Sequence, residues 1–350
     1  MTSKNRKRVF CEFAFLKRFR DAYEHLSASE GPDALRNLLA IDSCLEKLDL
    51  MVDVDYATFF QDVSIGSRLF MLLKKSQQGD MSISYVGNHP VKDIESYIWR
   101  PEGLTTSYML TKQSGICRHY REKYCVSVLS PECWTINETA KEYAYYFNDC
   151  GSVVNQRVKH CWSNIFRDKE SHISHCNSML IVDNYINKNL NENLLAILDA
   201  LLPKILIGDI EFQLTIITQS DDPDSYKDMY DEICKFVKKS RPELRCHVEL
   251  YVKYGKSGFH DRTIITNNAK IDSGAGFSLI ENGKAKNSTE VKIVRPYLQN
   301  FSQSCDATYN KVIVDVRRVV DEIEDAVKRK TRRDRYWPEG SSRNRLLREE

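Results

Sequence analysis

From Met179 onward, short apolar runs alternate with amphipathic stretches, and this alternation limits the fold more than any other feature of the chain. Met179-Leu-Ile-Val-Asp183 is a continuous apolar run with polar flanks, as expected of a strand buried on both faces. Leu190 to Ile207 carries apolar positions at helical spacing, and Glu211 to Thr218 is again strand-like. Asp221-Asp-Pro-Asp-Ser225 is a turn that also caps a helix reaching Lys239. Cys246 to Val252, Thr263 to Thr266 and Glu290 to Val294 supply further strands, and Asn310 to Arg329 makes a closing amphipathic helix. Strand, helix, strand, helix in that order predicts an α/β domain with a mostly parallel sheet and helices on both faces.

The first half is less regular. Val9 to Phe15 reads as a strand, residues 34–48 and 55–76 as helices, and Met81 to Val86 and Tyr124 to Leu129 as strands. Thr135-Ile-Asn-Glu138 caps a helix continuing to Phe147. A second α/β or α+β domain follows from this mixture. With 350 residues the chain has room for two domains. The expected division is an N-terminal domain over 1–150, a junction over 151–177 rich in His, Cys, Ser and Asn, a C-terminal domain over 178–330, and a basic tail over 331–350.

Bulk chemistry narrows the class of protein. No run of about 18 apolar residues occurs, so no spanning helix is expected. The basic N-terminus leads into Val9 to Leu16, which is short and contains Glu12, unlike a secretory signal. The cysteines number eleven, an odd count, and Cys11, Cys125, Cys234 and Cys246 sit in apolar stretches as small hydrophobes. A reducing cytoplasm is the expected location. Net charge is +2, but residues 328–350 hold nine Lys/Arg against four Asp/Glu, which leaves −3 on the other 327 residues. The run from Lys328 to Arg335, followed by Tyr336 and Trp337, either grips phosphates and stacks on bases or is a solvated helix end.

The most chemically suggestive segment runs from Gly258 to Ser278. His260 closes a glycine-containing loop just before an apolar strand, and Arg262, two residues on, projects from the same face. Imidazole can attack or protonate a phosphate while a guanidinium clamps it. Gly274 and Gly276 would let backbone amides approach an anion, with Asn267 and Ser278 as further phosphate-binding candidates.

Here the sequence resembles the phospholipase D superfamily, whose motif is His-x-Lys-x4-Asp followed after six residues by Gly-Ser-x-Asn. His260 and Gly274 match that motif. Arg262 stands at the lysine, Asn267 at the aspartate, Ala275 at the serine and Phe277 at the final asparagine. The His-Asp-Arg opening and the Ile-Val-Asp-Asn-Tyr strand at 181–185 are similar to a divergent branch of bacterial, often defence-associated, proteins and of lipid-binding domains that follow a MIT domain. The resemblance covers about 150 residues and implies one half of the family's two-histidine fold. It also implies metal-independent chemistry at His260 only if two copies of the chain meet. Asp261 or Asp272 would then replace the family's aspartate. Three readings of His260 and Arg262 stand side by side: catalysis, anion binding without chemistry, and a structural pair.

Two other groups of residues bear on function. Cys150, His160, Cys161, His172, His175 and Cys176 crowd the junction, but their spacing departs from paired zinc ligands, so no metal set is assigned there. Glu12 lies within the first apolar run, where a charge needs a partner, and Asp53, Asp55, Asp80 and Asp149 lie near element ends. Carboxylates converging at strand ends would hold Mg²⁺ or Mn²⁺ for phosphodiester hydrolysis. Val9-Phe-Cys-Glu-Phe-Ala-Phe-Leu16 resembles the opening of PIN-type nucleases, with Glu12 where their first acid is an aspartate.

These readings predict a nucleic-acid-directed bacterial defence effector with nuclease chemistry at His260 and Arg262 or at Glu12, and a phospholipase D-like domain that binds phosphate groups. The alternative is a non-catalytic sensor or adaptor for a protein or anionic ligand. Nucleic acid, a second copy of the chain and a defence-system protein are the expected partners, without stable membrane insertion. No cofactor is expected unless the N-terminal domain is the nuclease, which would need Mg²⁺ or Mn²⁺.

Overall fold

The computed structural model describes residues 8–25, 34–35, 38–39, 41–42, 45–46, 48–87, 107–124, 127–131, 154–157, 162, 166, 176–204, 206, 210–255, 262–267, 269–274, 276–285, 290–294 and 305–347. The chain is α/β and divides into two compact units, residues 1–151 with 297–310, and residues 152–296 with 311–350. The helix expected over 135–147 lies outside the described residues.

The first unit is built on five strands: β1 (Arg8–Cys11), β2 (Asp49–Val52), β3 (Ser82–Tyr85), β4 (Ser107–Met109) and β5 (Ser127–Leu129). All four pairings are parallel, in the order β3-β2-β1-β4-β5. The first strand is shorter than its apolar run, because α1 (Phe13–Glu24) begins inside it. Phe13, Leu16 and Phe19 fall three apart with Phe15 between them, and all four are buried. That helical spacing overrides the strand-like composition of the run. Glu12 therefore sits between strand and helix rather than within a strand.

The helix expected over 55–76 is two, α2 (Tyr56–Gln61) and α3 (Arg68–Gln78). Gly66 between them has φ +88°, and Ser67 caps α3 through its side chain, which accepts from Phe70 N. Phe15, Leu16 and Phe19 of α1, Phe59 of α2 and Leu69 and Leu72 of α3 join Val9, Leu50, Val52 and Met109 of the sheet in one core.

The second unit has an eight-stranded sheet. It contains β6 (Val154–Arg157), β7 (Ser178–Val182), β8 (Phe212–Ser220), β9 (Cys246–Tyr254), β10 (Thr263–Thr266), β11 (Lys270–Ser273) and β14 (Glu290–Val294). Its eighth member is β15 (Arg335–Trp337), and β12 (Ile280–Glu281) pairs separately with β13 (Lys284–Ala285). A π turn at Asn191–Leu195 leads into α5 (Ala196–Leu201), α4 being Ser114–Tyr124 of the first unit. A 3₁₀ turn at Pro223–Ser225 leads into α6 (Tyr226–Ser240), and α7 is Cys305–Arg329.

The sheet order is β15-β9-β8-β7-β10-β11-β14-β6. Only β7-β8 and β8-β9 pair in parallel, and the remaining pairings are antiparallel, so the sheet is mixed rather than mostly parallel. The βαβ alternation ends at β9. Beyond it a short connection returns β11 antiparallel to β10, and β14 and β15, the latter reached after α7, also pair antiparallel with their neighbours. β6 shows that part of the expected junction belongs to the sheet.

The segment expected as a basic tail is part of the fold. β15 extends β9, Trp337 stacks on Tyr230 and Tyr336 on Tyr251, and Arg335 binds Asp224. Asn344, fully buried, donates to Met179 O at 3.0 Å and to Thr215 Oγ1 at 3.0 Å, and accepts from Ser178 Oγ at 2.7 Å. Buried Glu249 accepts from Ser342 Oγ at 2.7 Å, Arg343 N at 2.6 Å and Thr215 Oγ1 at 2.7 Å. Arg345 donates to Asn177 O and Glu211 O. The polar residues that make this segment look solvated satisfy polar groups of the sheet.

Candidate functional site

Parallel strands deliver their following loops to one edge, and in the first unit that edge carries the acids. The strand order reverses between β1 and β4, the switch point at which open α/β sheets hold ligands. Glu12 is the first residue after β1, Asp53 the first after β2 and Thr111 the second after β4. Glu12 N donates to Met109 O at 2.9 Å. Thr111 donates to Glu12 Oε2 through its amide, at 2.6 Å, and through its hydroxyl. On the β2 side, Asp53 Oδ1 accepts from Phe13 N at 2.6 Å.

The Asp53 carboxyl feels both its burial and the neighbouring acid. Burial holds Asp53 above the ordinary carboxylate range, the Phe13 amide opposes that shift, and the charge of Glu12 adds to it. Burial also lifts the thiol of Cys11, aided by Asp53 and Glu12, so Cys11 is a core hydrophobe rather than a nucleophile. Asp55 is occupied elsewhere, since it caps α2 by accepting from Thr58 N at 2.7 Å. Asp80 precedes β3 and so falls at the opposite edge. Asp149 lies outside the described residues.

Magnesium and manganese favour oxygen ligands, and magnesium is commonly held by one or two carboxylates with water and substrate phosphate completing its shell. Glu12 and Asp53 fit that donor set. Among the described residues no group of three His, Cys, Asp or Glu could hold a metal ion. Of the junction candidates, Cys176 is buried with its thiol directed at Leu201 O, and Cys150, His160, Cys161, His172 and His175 lie outside the described residues.

In the second unit, His260 and Asp261 lie outside the described residues, whereas Arg262 stands directly before β10. The pairing of Thr263 with Val182 puts Arg262 opposite Asp183 at the end of β7. Asp183 is fully buried and accepts from Tyr185 N at 2.8 Å and from Phe277 N at 2.5 Å. Burial raises its carboxyl above the usual range, while those two amides and the charge of Arg262 oppose the shift. Arg262 donates to Gly274 O at 2.8 Å, and its guanidinium lies 5.2 Å from the centroid of the Tyr185 ring. Arg262 Nε is buried with no hydrogen-bond partner among the described residues.

Gly276, at φ +86°, leaves room for this cluster, since a Cβ there would lie 3.0 Å from Asp183 Oδ2 and 3.1 Å from Arg262 Cδ. Gly276 N donates to Ser273 O and Phe277 N to Asp183. The glycine loop expected to receive a phosphate thus turns part of its polar backbone inward, where Asp183 supplies the negative charge.

Gly274 and Ser278 belong to this cluster, Ser278 donating to Tyr185 O. Asn267 does not, because it follows β10 while Arg262 precedes it. Its Oδ1 accepts from Asn177 N at 2.8 Å, which makes it a buried tie between strand ends rather than a phosphate ligand. Asp272 accepts from Thr263 Oγ1 at 2.9 Å and from Lys270 Nζ at 2.9 Å. The residues that sequence reasoning missed are Asp183 and Thr111. Asp183 was visible as the acid closing an apolar strand. Thr111 carries no local signal, since it meets Glu12 only through the β1-β4 pairing.

No family model and no curated protein matches the chain. Solved structures similar to it include that of TrmBL2, an archaeal chromatin protein whose structure shows a novel mode of DNA binding. The likeness has 15% identity and a TM-score of 0.22, over 41% of this chain and 46% of that one. At that score it assigns neither fold nor function. Among the described residues no helix is long and apolar enough to cross a membrane.

Proposed function

We propose that this chain is a nucleic-acid-directed effector whose first unit carries the hydrolytic site, at Glu12 and Asp53. One observation carries the reading: both acids stand at the carboxyl edge of a parallel sheet, beside its switch point, each held by a backbone amide. Thr111 fixes the Glu12 carboxylate, and Phe13 N fixes that of Asp53, so neither needs to reorganise when substrate arrives. A bound Mg²⁺ or Mn²⁺ would polarise a phosphodiester and supply an activated water there. A bacterial defence context rests on the resemblance of residues 178–330 to the divergent phospholipase D branch.

A second reading, a sensor or adaptor without chemistry, is favoured by the surroundings of Arg262, whose guanidinium donates to Gly274 O and lies over the Tyr185 ring opposite the buried Asp183. A guanidinium held in that way is better suited to recognising a ligand than to clamping a transferring phosphoryl group. Chemistry at His260 would instead require two copies of the chain.

The test is cleavage of single-stranded and duplex DNA and RNA with Mg²⁺, Mn²⁺ or EDTA. Metal-dependent cleavage lost in Glu12→Gln and Asp53→Asn but retained in His260→Ala is the expected result. Cleavage that survives EDTA and disappears in His260→Ala would move the chemistry to the second unit. Absence of cleavage under every condition would favour the sensor or adaptor.

A further inference from the structure

Beside the two acids, α2 presents aromatic rings to solvent. Tyr56 is 50% exposed and Phe60 53% exposed, high values for side chains of their size. They sit four residues apart and stack, with centroids 5.8 Å apart and planes inclined by 24°. Beneath them, Tyr85 at the end of β3 meets Tyr56 edge-on at 5.3 Å and Phe59 at 5.5 Å. Phe59 is fully buried and packs on Phe13 at 5.1 Å. The exposed pair is thus anchored on the core and positioned before anything binds.

The strand order arranges chemistry in a row along this edge. Tyr85 ends β3; Asp53, Asp55 and Tyr56 follow β2; Glu12 follows β1; Thr111 and the exposed Lys112 follow β4. With strands about 4.8 Å apart, β3 to β4 spans about 15 Å.

We propose that unpaired nucleic acid crosses this edge, with one base stacked on the Tyr56–Phe60 pair and the sugar–phosphate backbone passing Asp53 and Glu12 toward Lys112. The inference deepens the nuclease reading of the same acids and rests on it. Flat aromatic faces accept any base, but a duplex keeps its base faces stacked within the helix, so only an unpaired strand can offer one. A protein partner covering the rings would also desolvate Asp53 and Asp55 beside them, at the cost of burying charge. A stacked base needs only the ring faces. Phosphates repel the two carboxylates unless a divalent cation lies between them, so Mg²⁺ strengthens binding.

The test uses the full chain and a nuclease-resistant phosphorothioate oligothymidylate, followed by fluorescence anisotropy. Tyr56→Ala and Phe60→Ala each weaken binding about tenfold, while Tyr56→Phe and Phe60→Tyr retain it. A duplex of equal length binds at least about tenfold more weakly than the single strand. Both rings being surface side chains, circular dichroism of the alanine variants stays that of wild type.

Unchanged affinity in the double alanine variant, or equal affinity for duplex, would overturn the proposal. So would a change in self-association alone, by light scattering, which would make the rings a protein interface. Cleavage by wild type that is indifferent to both ring substitutions would remove the platform and leave the nuclease reading standing. Ring-dependent binding without cleavage would do the reverse.

Discussion

Thr111 and Glu12 meet across 99 positions of sequence, the threonine donating its amide to Glu12 Oε2 at 2.6 Å and its hydroxyl to the same oxygen. This contact joins the loops after β1 and β4 at the switch point, so Glu12 is both a candidate catalytic acid and a structural acceptor. Substitutions at Glu12 separate the two roles. Glu12→Ala leaves the Thr111 amide and hydroxyl without their acceptor and costs about 1–3 kcal/mol by urea unfolding. Glu12→Gln keeps an acceptor oxygen and costs less, yet abolishes cleavage if the first unit is the nuclease.

Asp183 makes stability depend on pH in a definite direction. Burial raises its native pKa above the unfolded value of about 3.9, so in the window above that value the native state binds the proton more tightly. Stability contributed at this position therefore falls as pH rises through the window. Relative to Asp183→Asn, which does not titrate, wild type gains stability as pH is lowered from neutral toward 4. Paired urea melts across that range measure the difference, and a gap that widens in favour of Asn on acidification would contradict the assignment. Asp183→Ala, which removes the acceptor of the Tyr185 and Phe277 amides, costs about 1–3 kcal/mol.

Glycines with different surroundings separate backbone strain from steric clash. Gly79 has φ +80° but nothing within 4 Å of a built Cβ, so Gly79→Ala costs about 1 kcal/mol of left-handed strain. Gly276→Ala carries a similar backbone penalty and also presses on Asp183 and Arg262, so it is the more damaging of the two. At Gly87 a Cβ would lie 2.2 Å from Asp55 N and 2.3 Å from Val54 C, both backbone atoms. Gly87→Ala therefore displaces the loop after β2 that carries Asp53, and it lowers both thermal stability and any Glu12-dependent activity.

Asn344 tests whether the C-terminal segment is structural. Asn344→Ala removes partners from Ser178, Met179 O and Thr215 inside the second sheet and costs about 2–4 kcal/mol, with its effect insensitive to salt. A segment that served only to grip phosphates would instead leave the melting temperature of this variant unchanged.

The sequence by itself determined the strands of the second unit most fully, and the reason is local. Thr263–Thr266 and Glu290–Val294 appear at their expected bounds because β-branched runs between polar breaks decide that state within a few residues. The helix over Tyr226–Ser240 followed equally well from its periodic apolar positions Met229, Ile233 and Val237. Arg262 and Glu12 were recognisable as charges beside apolar runs.

What the sequence could not determine was decided by pairing between distant segments. The antiparallel turn of the second sheet after β9, the incorporation of Arg335–Trp337 as an edge strand and the burial of Asn344 all depend on partners that are remote in sequence. The same holds for function: only the order β3-β2-β1-β4-β5 brings Glu12, Asp53 and Thr111 to one edge, and only the β7-β10 register sets Asp183 against Arg262. Local preference selects the elements, but the burial of each strand and the satisfaction of its polar groups select the neighbours, and the neighbours make the site.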